Sequence, residues 1–111
     1  MFRNAFNISI NLNRSDKWPT EKLAEATIRF LDGPLDGCVL SGFTIWRSRD
    51  GGANVTFPDR SYTKNGQKER YELLRPTDRT ARETVTRFIV TEYERHLAEQ
   101  ANAAAMQVAS N

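Results

Sequence analysis

Seven cations lie between positions 60 and 82: Arg60, Lys64, Lys68, Arg70, Arg75, Arg79 and Arg82. Guanidinium and ammonium groups at this density suit a polyanion, because each one that neutralises a phosphate releases a condensed counterion. The wider charge distribution agrees. From Arg47 to Arg87 the bases at 47, 49, 60, 64, 68, 70, 75, 79, 82 and 87 outnumber the acids at 50, 59, 69, 72, 78 and 83. Bases and acids balance before this stretch, and after it Arg95 stands against Glu92, Glu94 and Glu99. A formal net charge of only +2 therefore hides a basic middle, the footprint of a polyanion held at one part of the surface. A plainer reading is that Arg60 and Arg70 balance Asp59, Glu69 and Glu72 as surface ion pairs, each worth at most about 1 kcal/mol. Two tyrosines, Tyr62 and Tyr71, interleave with Arg60 and Arg70 and could stack on bases. Trp46 and Phe57 fall within expected strands, where aromatic rings are more often core.

Other chemistry is hard to assemble. His96 and Cys38 are the only histidine and cysteine, so a zinc site cannot be built from them. A general acid and base would have to come from scattered surface carboxylates. Asp32 and Asp36 flank Gly33-Pro34 and read as turn formers. The glycines at 33, 37, 42, 51, 52 and 66 fit neither the Walker nor the dinucleotide spacing. An enzyme is not expected, nor is a cofactor or a metal.

These residues need a frame, and 111 residues with 39% hydrophobic and 27% charged side chains fit one ordinary domain with a thin core. A core this small is marginal, which together with uncovered sheet edges favours a homodimer. A single cysteine forms no internal disulfide, and the opening Met-Phe-Arg-Asn lacks the apolar stretch of a secretory signal. No run nears the roughly 18 apolar residues of a membrane span. The expected location is cytoplasmic, away from membranes.

Phe6, Ile8, Ile10 and Leu12 alternate with Asn7, Ser9, Asn11 and Asn13, the period-2 pattern of a half-buried strand. A loop through Trp18-Pro19 leads to a second strand over 23–31, with Ala24, Ala26, Ile28 and Phe30 inward, although Glu21 to Ala26 alone would suit a helix. Turn chemistry over 32–37 precedes a third strand, Cys38 to Trp46. Asp50-Gly51 and Asn65-Gly66 are hairpin dipeptides that bracket a fourth strand, whose return runs from Lys68 to Leu74 and stops at Arg75-Pro76. A strict two-residue turn at Asn65-Gly66 sets Arg60 opposite Tyr71, Phe57 opposite Leu74 and Asp59 opposite Glu72. Two facing carboxylates predict a bulge, a wider loop or a bridging arginine.

After Pro76, Ala81, Val85, Phe88, Ile89, Tyr93 and Leu97 mark one face of an amphipathic helix. It starts within 77 to 80, capped by a Thr80–Glu83 box or by Thr77 or Asp78. Phe88 and Ile89 are expected against the sheet, while Arg79 and Arg82 point away from the Val85–Ile89 stripe and a helix amino terminus adds free amides for a phosphate. The domain is placed at residues 1–97, with 98–111 an alanine-rich tail, either frayed helix or disordered. The fold class is thus α+β: an antiparallel sheet of about five strands followed by one carboxy-terminal amphipathic helix.

Several stretches resemble the stage V sporulation protein G (SpoVG) family, small regulators also described as septation proteins. The similarity spans roughly Phe6 to Leu97. The strands at Asn7 to Asn13, Leu23 to Ile28 and Cys38 to Arg47 match in order. Gly52-Ala53-Asn54-Val55-Thr56-Phe57-Pro58-Asp59-Arg60 resembles the family's glycine, apolar, valine and Met-Pro-Ser-Arg stretch. Gly66 stands at its Asp-Gly turn, Pro76 at its pre-helix proline, and Val85, Ile89 and Tyr93 fit its closing helix. Phe57 and Asp59 replace the usual methionine and serine, Lys68-Glu69-Arg70-Tyr71 replaces a Phe-Arg-Asp-like segment, and the tail past Leu97 has no counterpart. The resemblance implies dimerisation through strands and binding of DNA or RNA in transcription regulation tied to sporulation or septation. The alternative is a protein-interaction or assembly module using strand edges and Trp18, Trp46 and Tyr62.

Overall fold

A computed structural model describes residues 5–109. It is an α+β fold, with strands β1 (Phe6–Leu12), β2 (Lys22–Phe30), β3 (Val39–Arg47), β4 (Ala53–Thr56), β5 (Asp59–Lys64) and β6 (Gln67–Glu72) followed by helix α1 (Arg79–Ala109). Strands β1 to β4 form an antiparallel sheet in chain order, and β5 and β6 form a separate two-stranded ribbon.

The alternation read in β1 holds, with Phe6, Ile8, Ile10 and Leu12 half-buried and the residues between them exposed. In β2, Ala24, Ala26 and Ile28 are buried, so this segment is a strand despite the helix propensity of its first residues. Tertiary burial outweighs a preference worth only tenths of a kcal/mol per residue. Phe43 and Ile45 continue the inward face on β3. Trp46 does not: it alternates to the opposite face, half-buried, and its indole N–H donates to the Thr56 hydroxyl at 2.9 Å. Its expected place in the core is overturned by strand parity, since Ile45 already points inward.

Six strands replace the expected five because the fourth divides at Phe57-Pro58. Pro58 has no amide hydrogen to extend a ladder, and both residues turn into the core, where Phe57 meets Phe43 edge to face at 5.4 Å. Gly42 makes room for this crossing. It adopts φ 110°, and a Cβ there would lie 3.1 Å from the Pro58 Cβ. The chain thereby leaves the main sheet at β4 and re-emerges as a ribbon at β5.

Helix α1 is capped by Asp78, whose carboxylate accepts from the Ala81 amide at 2.7 Å. Of the alternatives read in the sequence this is the Asp78 cap, and Glu83 instead pairs with Arg79 one turn back at 3.0 Å. Ile89 is fully buried among Ala24, Ala26, Ile28, Phe43, Ile45 and Phe57, with Val85 and Tyr93 packed half-buried beside it. Phe88 departs from expectation. It is 53% exposed and rests edge to face on Phe6 at 5.5 Å, because it overhangs β1, an outer strand of the sheet, where no further described strand covers it. Leu97 is likewise exposed. The helix then continues without a break through Ala109, with residues 98–106 all exposed. At about 1.5 Å per residue it is about 46 Å long, so its last turns outrun the sheet.

Candidate nucleic-acid interface

The β5–β6 ribbon carries most of the sequence-derived site. Asn65 and Gly66 both have positive φ, 52° and 77°, the two-residue geometry that this dipeptide favours. The pairing is Asp59↔Glu72, Arg60↔Tyr71, Ser61↔Arg70, Tyr62↔Glu69, Thr63↔Lys68 and Lys64↔Gln67. The register read from the turn is therefore correct as far as the ladder extends. Beyond it, the Leu73 amide donates to the Pro58 carbonyl at 2.7 Å. Every residue from Arg60 to Tyr71 is exposed, so the ribbon stands clear of the main sheet.

The facing carboxylates at 59 and 72 need neither bulge nor wider loop. Each takes its own arginine: Arg70, diagonal across the ribbon, pairs with Asp59, and Arg82 pairs with Glu72. Glu72 holds Arg82 protonated above the ordinary arginine range, chiefly through the hydrogen bond it accepts. The Arg82 guanidinium also lies 4.8 Å from the centre of the Phe57 ring. Arg82 thus does not point away from the buried stripe. Positions 82, 85 and 89 are spaced by three and four, which puts them on one helical face.

Parity then divides the seven cations. Arg60 and Lys64 share one face of the ribbon with Tyr62 and Tyr71, while Lys68 and Arg70 lie on the other with Ser61 and Thr63. Arg70 is not the neighbour of the tyrosines that interleaving suggests; Arg60, directly opposite Tyr71, and Lys64 hold that place. Tyr62 and Tyr71 contact each other with ring centres 5.5 Å apart. The Tyr62 hydroxyl donates to the Glu69 carboxylate at 2.6 Å, which raises the phenol above its ordinary pKa and keeps it neutral. Arg75 is exposed between the ribbon and the helix, and Arg79 is exposed on the first helical turn beside Glu83. Among the described residues, Arg70, Arg79 and Arg82 are in ion pairs, whereas Arg60, Lys64, Lys68 and Arg75 are in none.

The remaining candidates do little together. Asp32 accepts from the Gly33 amide at 2.8 Å, as a turn former does, Cys38 is exposed, and His96 is half-buried on the helix. The described residues contain no group of three or more side chains able to hold a metal ion. They contain no helix long and apolar enough to cross a membrane. One apolar groove of about 240 Å³ opens beside the helix, lined by Phe6, Ile8, Phe30, Leu40, Leu74 and Phe88 among others. Sequence patterning missed it, because Phe88 reads as buried.

No family model, curated protein or solved structure matches this chain.

Proposed function

We propose that this chain is a cytoplasmic nucleic-acid-binding regulator that acts as a homodimer and engages DNA or RNA through the β5–β6 ribbon and the neighbouring helix start. The observation that carries the reading is a projecting ribbon, exposed from Arg60 to Tyr71, with Arg60, Lys64 and Lys68 free of carboxylate partners. A two-stranded ribbon is narrow enough to enter a major groove or to track a single strand. Unpaired cations can neutralise phosphates without first breaking an internal ion pair. The likeness to the SpoVG family over Phe6 to Leu97 supports the same reading and a regulatory, non-enzymatic role. Titrating the pure protein with labelled duplex DNA and with single-stranded RNA at two salt concentrations tests it. Binding that weakens steeply with salt is expected; no binding to either at low salt contradicts it.

The dimer draws on two further features. Strand β1 is an outer strand with only β2 as neighbour, and the apolar groove with exposed Phe88 lies against it. Unpaired edges and exposed apolar surface are what a second copy covers. Sedimentation at micromolar concentration should give twice the chain mass, and a strictly monomeric mass removes the dimer. The same groove is what favours a protein-interaction module as second reading, and salt-insensitive capture of a protein partner with no nucleic-acid binding would establish it.

A further inference from the structure

We propose that the Arg60 face of the ribbon is a stacking platform for unpaired bases, so that this face takes single-stranded nucleic acid in preference to duplex. The inference rests on the nucleic-acid reading above and adds the class of ligand. Four residues compose the platform: Arg60 opposite Tyr71 near the base of the ribbon, Tyr62 next along, and Lys64 towards the tip. At about 3.3 Å per residue, Arg60 and Lys64 lie about 13 Å apart, with Tyr62 between them and Tyr71 across the ribbon from Arg60.

The tyrosines pack on each other across the strands but fill no buried core. Both are exposed, Tyr62 at 40% and Tyr71 at 47%, on a ribbon with no core beneath this face. Their planes meet at 60°, so each presents its own ring face rather than closing into one slab. Tyr62 is also oriented in advance by its hydrogen bond to Glu69, which lowers the ordering cost of binding. A flat ring accepts a base only when that base is out of its own stack. Duplex bases offer edges in the grooves, whereas single strands offer faces. Arg60 and Lys64, free of ion pairs, flank the rings where the backbone of such a strand would pass.

The test uses the full chain and three probes: an oligothymidylate of about twelve nucleotides, an abasic oligomer of the same length, and a duplex of that length. Tyr62→Val and Tyr71→Val remove the ring while keeping a residue that suits strands. Each should weaken oligothymidylate binding about 5- to 150-fold and leave abasic and duplex binding unchanged. Tyr62→Phe and Tyr71→Phe, which keep the ring, should bind as the parent does. Valine variants that bind oligothymidylate like the parent overturn the platform, as do variants that weaken the abasic oligomer equally. In both cases salt-dependent binding by the parent would leave the broader reading standing. A parent protein that binds none of the three probes overturns both.

Discussion

The contrast between Ile89 and Phe88, adjacent on the helix, makes the packing quantitative. Ile89 is fully buried and, among the described residues, is the one helix residue in the buried core. Ile89→Ala removes three carbons from a closed site, about 2.4 kcal/mol at about 0.8 kcal/mol per buried CH₂, and the cavity left behind brings the loss to about 3 to 4 kcal/mol. Phe88 is 53% exposed, so Phe88→Ala forfeits roughly half of a buried ring's 2 to 3 kcal/mol and opens no closed void, a loss of about 1 to 1.5 kcal/mol. The periodicity of the sequence, which places both side chains against the sheet, predicts about 3 to 5 kcal/mol for the phenylalanine. Urea unfolding followed by circular dichroism separates the two values. With a slope near 1 to 1.5 kcal/mol per molar, Ile89→Ala should lower the midpoint by about 2 to 4 M and Phe88→Ala by about 1 M. Equal losses would refute the helix orientation described here. In a dimer that covers Phe88, the smaller loss would also grow with protein concentration.

Two local substitutions follow from backbone geometry. Gly42→Ala forces a Cβ onto Pro58 at φ 110°, so it should cost more than about 1 kcal/mol, read as a fall in melting temperature; an unchanged value would contradict the crossing described at Pro58. Asp78→Ala removes the acceptor on the Ala81 amide and should cost about 1 kcal/mol, and equal or greater stability on urea unfolding would show that another residue caps the helix.

Much of this fold was legible because strands announce themselves by parity. Phe6 to Leu12 could only bury its even positions, and Ala24, Ala26 and Ile28 followed the same rule against the helix propensity of Glu21 to Ala26. The ribbon register was readable from Asn65-Gly66 alone, since a two-residue turn leaves one pairing. That register already contained the division of the cations: pairing Arg60 with Tyr71 puts Arg70 with Ser61, on the other face. Adjacency in sequence concealed it. The break at Pro58 was less legible, because it depends on Gly42, sixteen positions earlier, admitting the proline ring. Phe88 and Trp46 were misread for a shared reason. Hydrophobic type reports what a residue would gain by burial, while the position of the sheet's last strand and the alternation of β3 decide whether burial is offered. Arg82 was legible in its spacing from Val85 and Ile89, yet its charge suggested solvent; a long side chain can lie over Phe57 and still reach Glu72.

Whether unpaired ribbon cations hold a polyanion is tested most directly by the triple variant Arg60→Ala, Lys64→Ala, Lys68→Ala. Arg70 is left in place because it is committed to Asp59. Titration of labelled duplex DNA against salt, with circular dichroism to verify the fold, gives the slope of log K on log salt. The expected result is a folded protein whose slope is shallower by about 0.9 for each phosphate no longer neutralised, about 2.7 in all, with weaker binding at low salt. A folded triple variant with the parent's affinity and slope would contradict it.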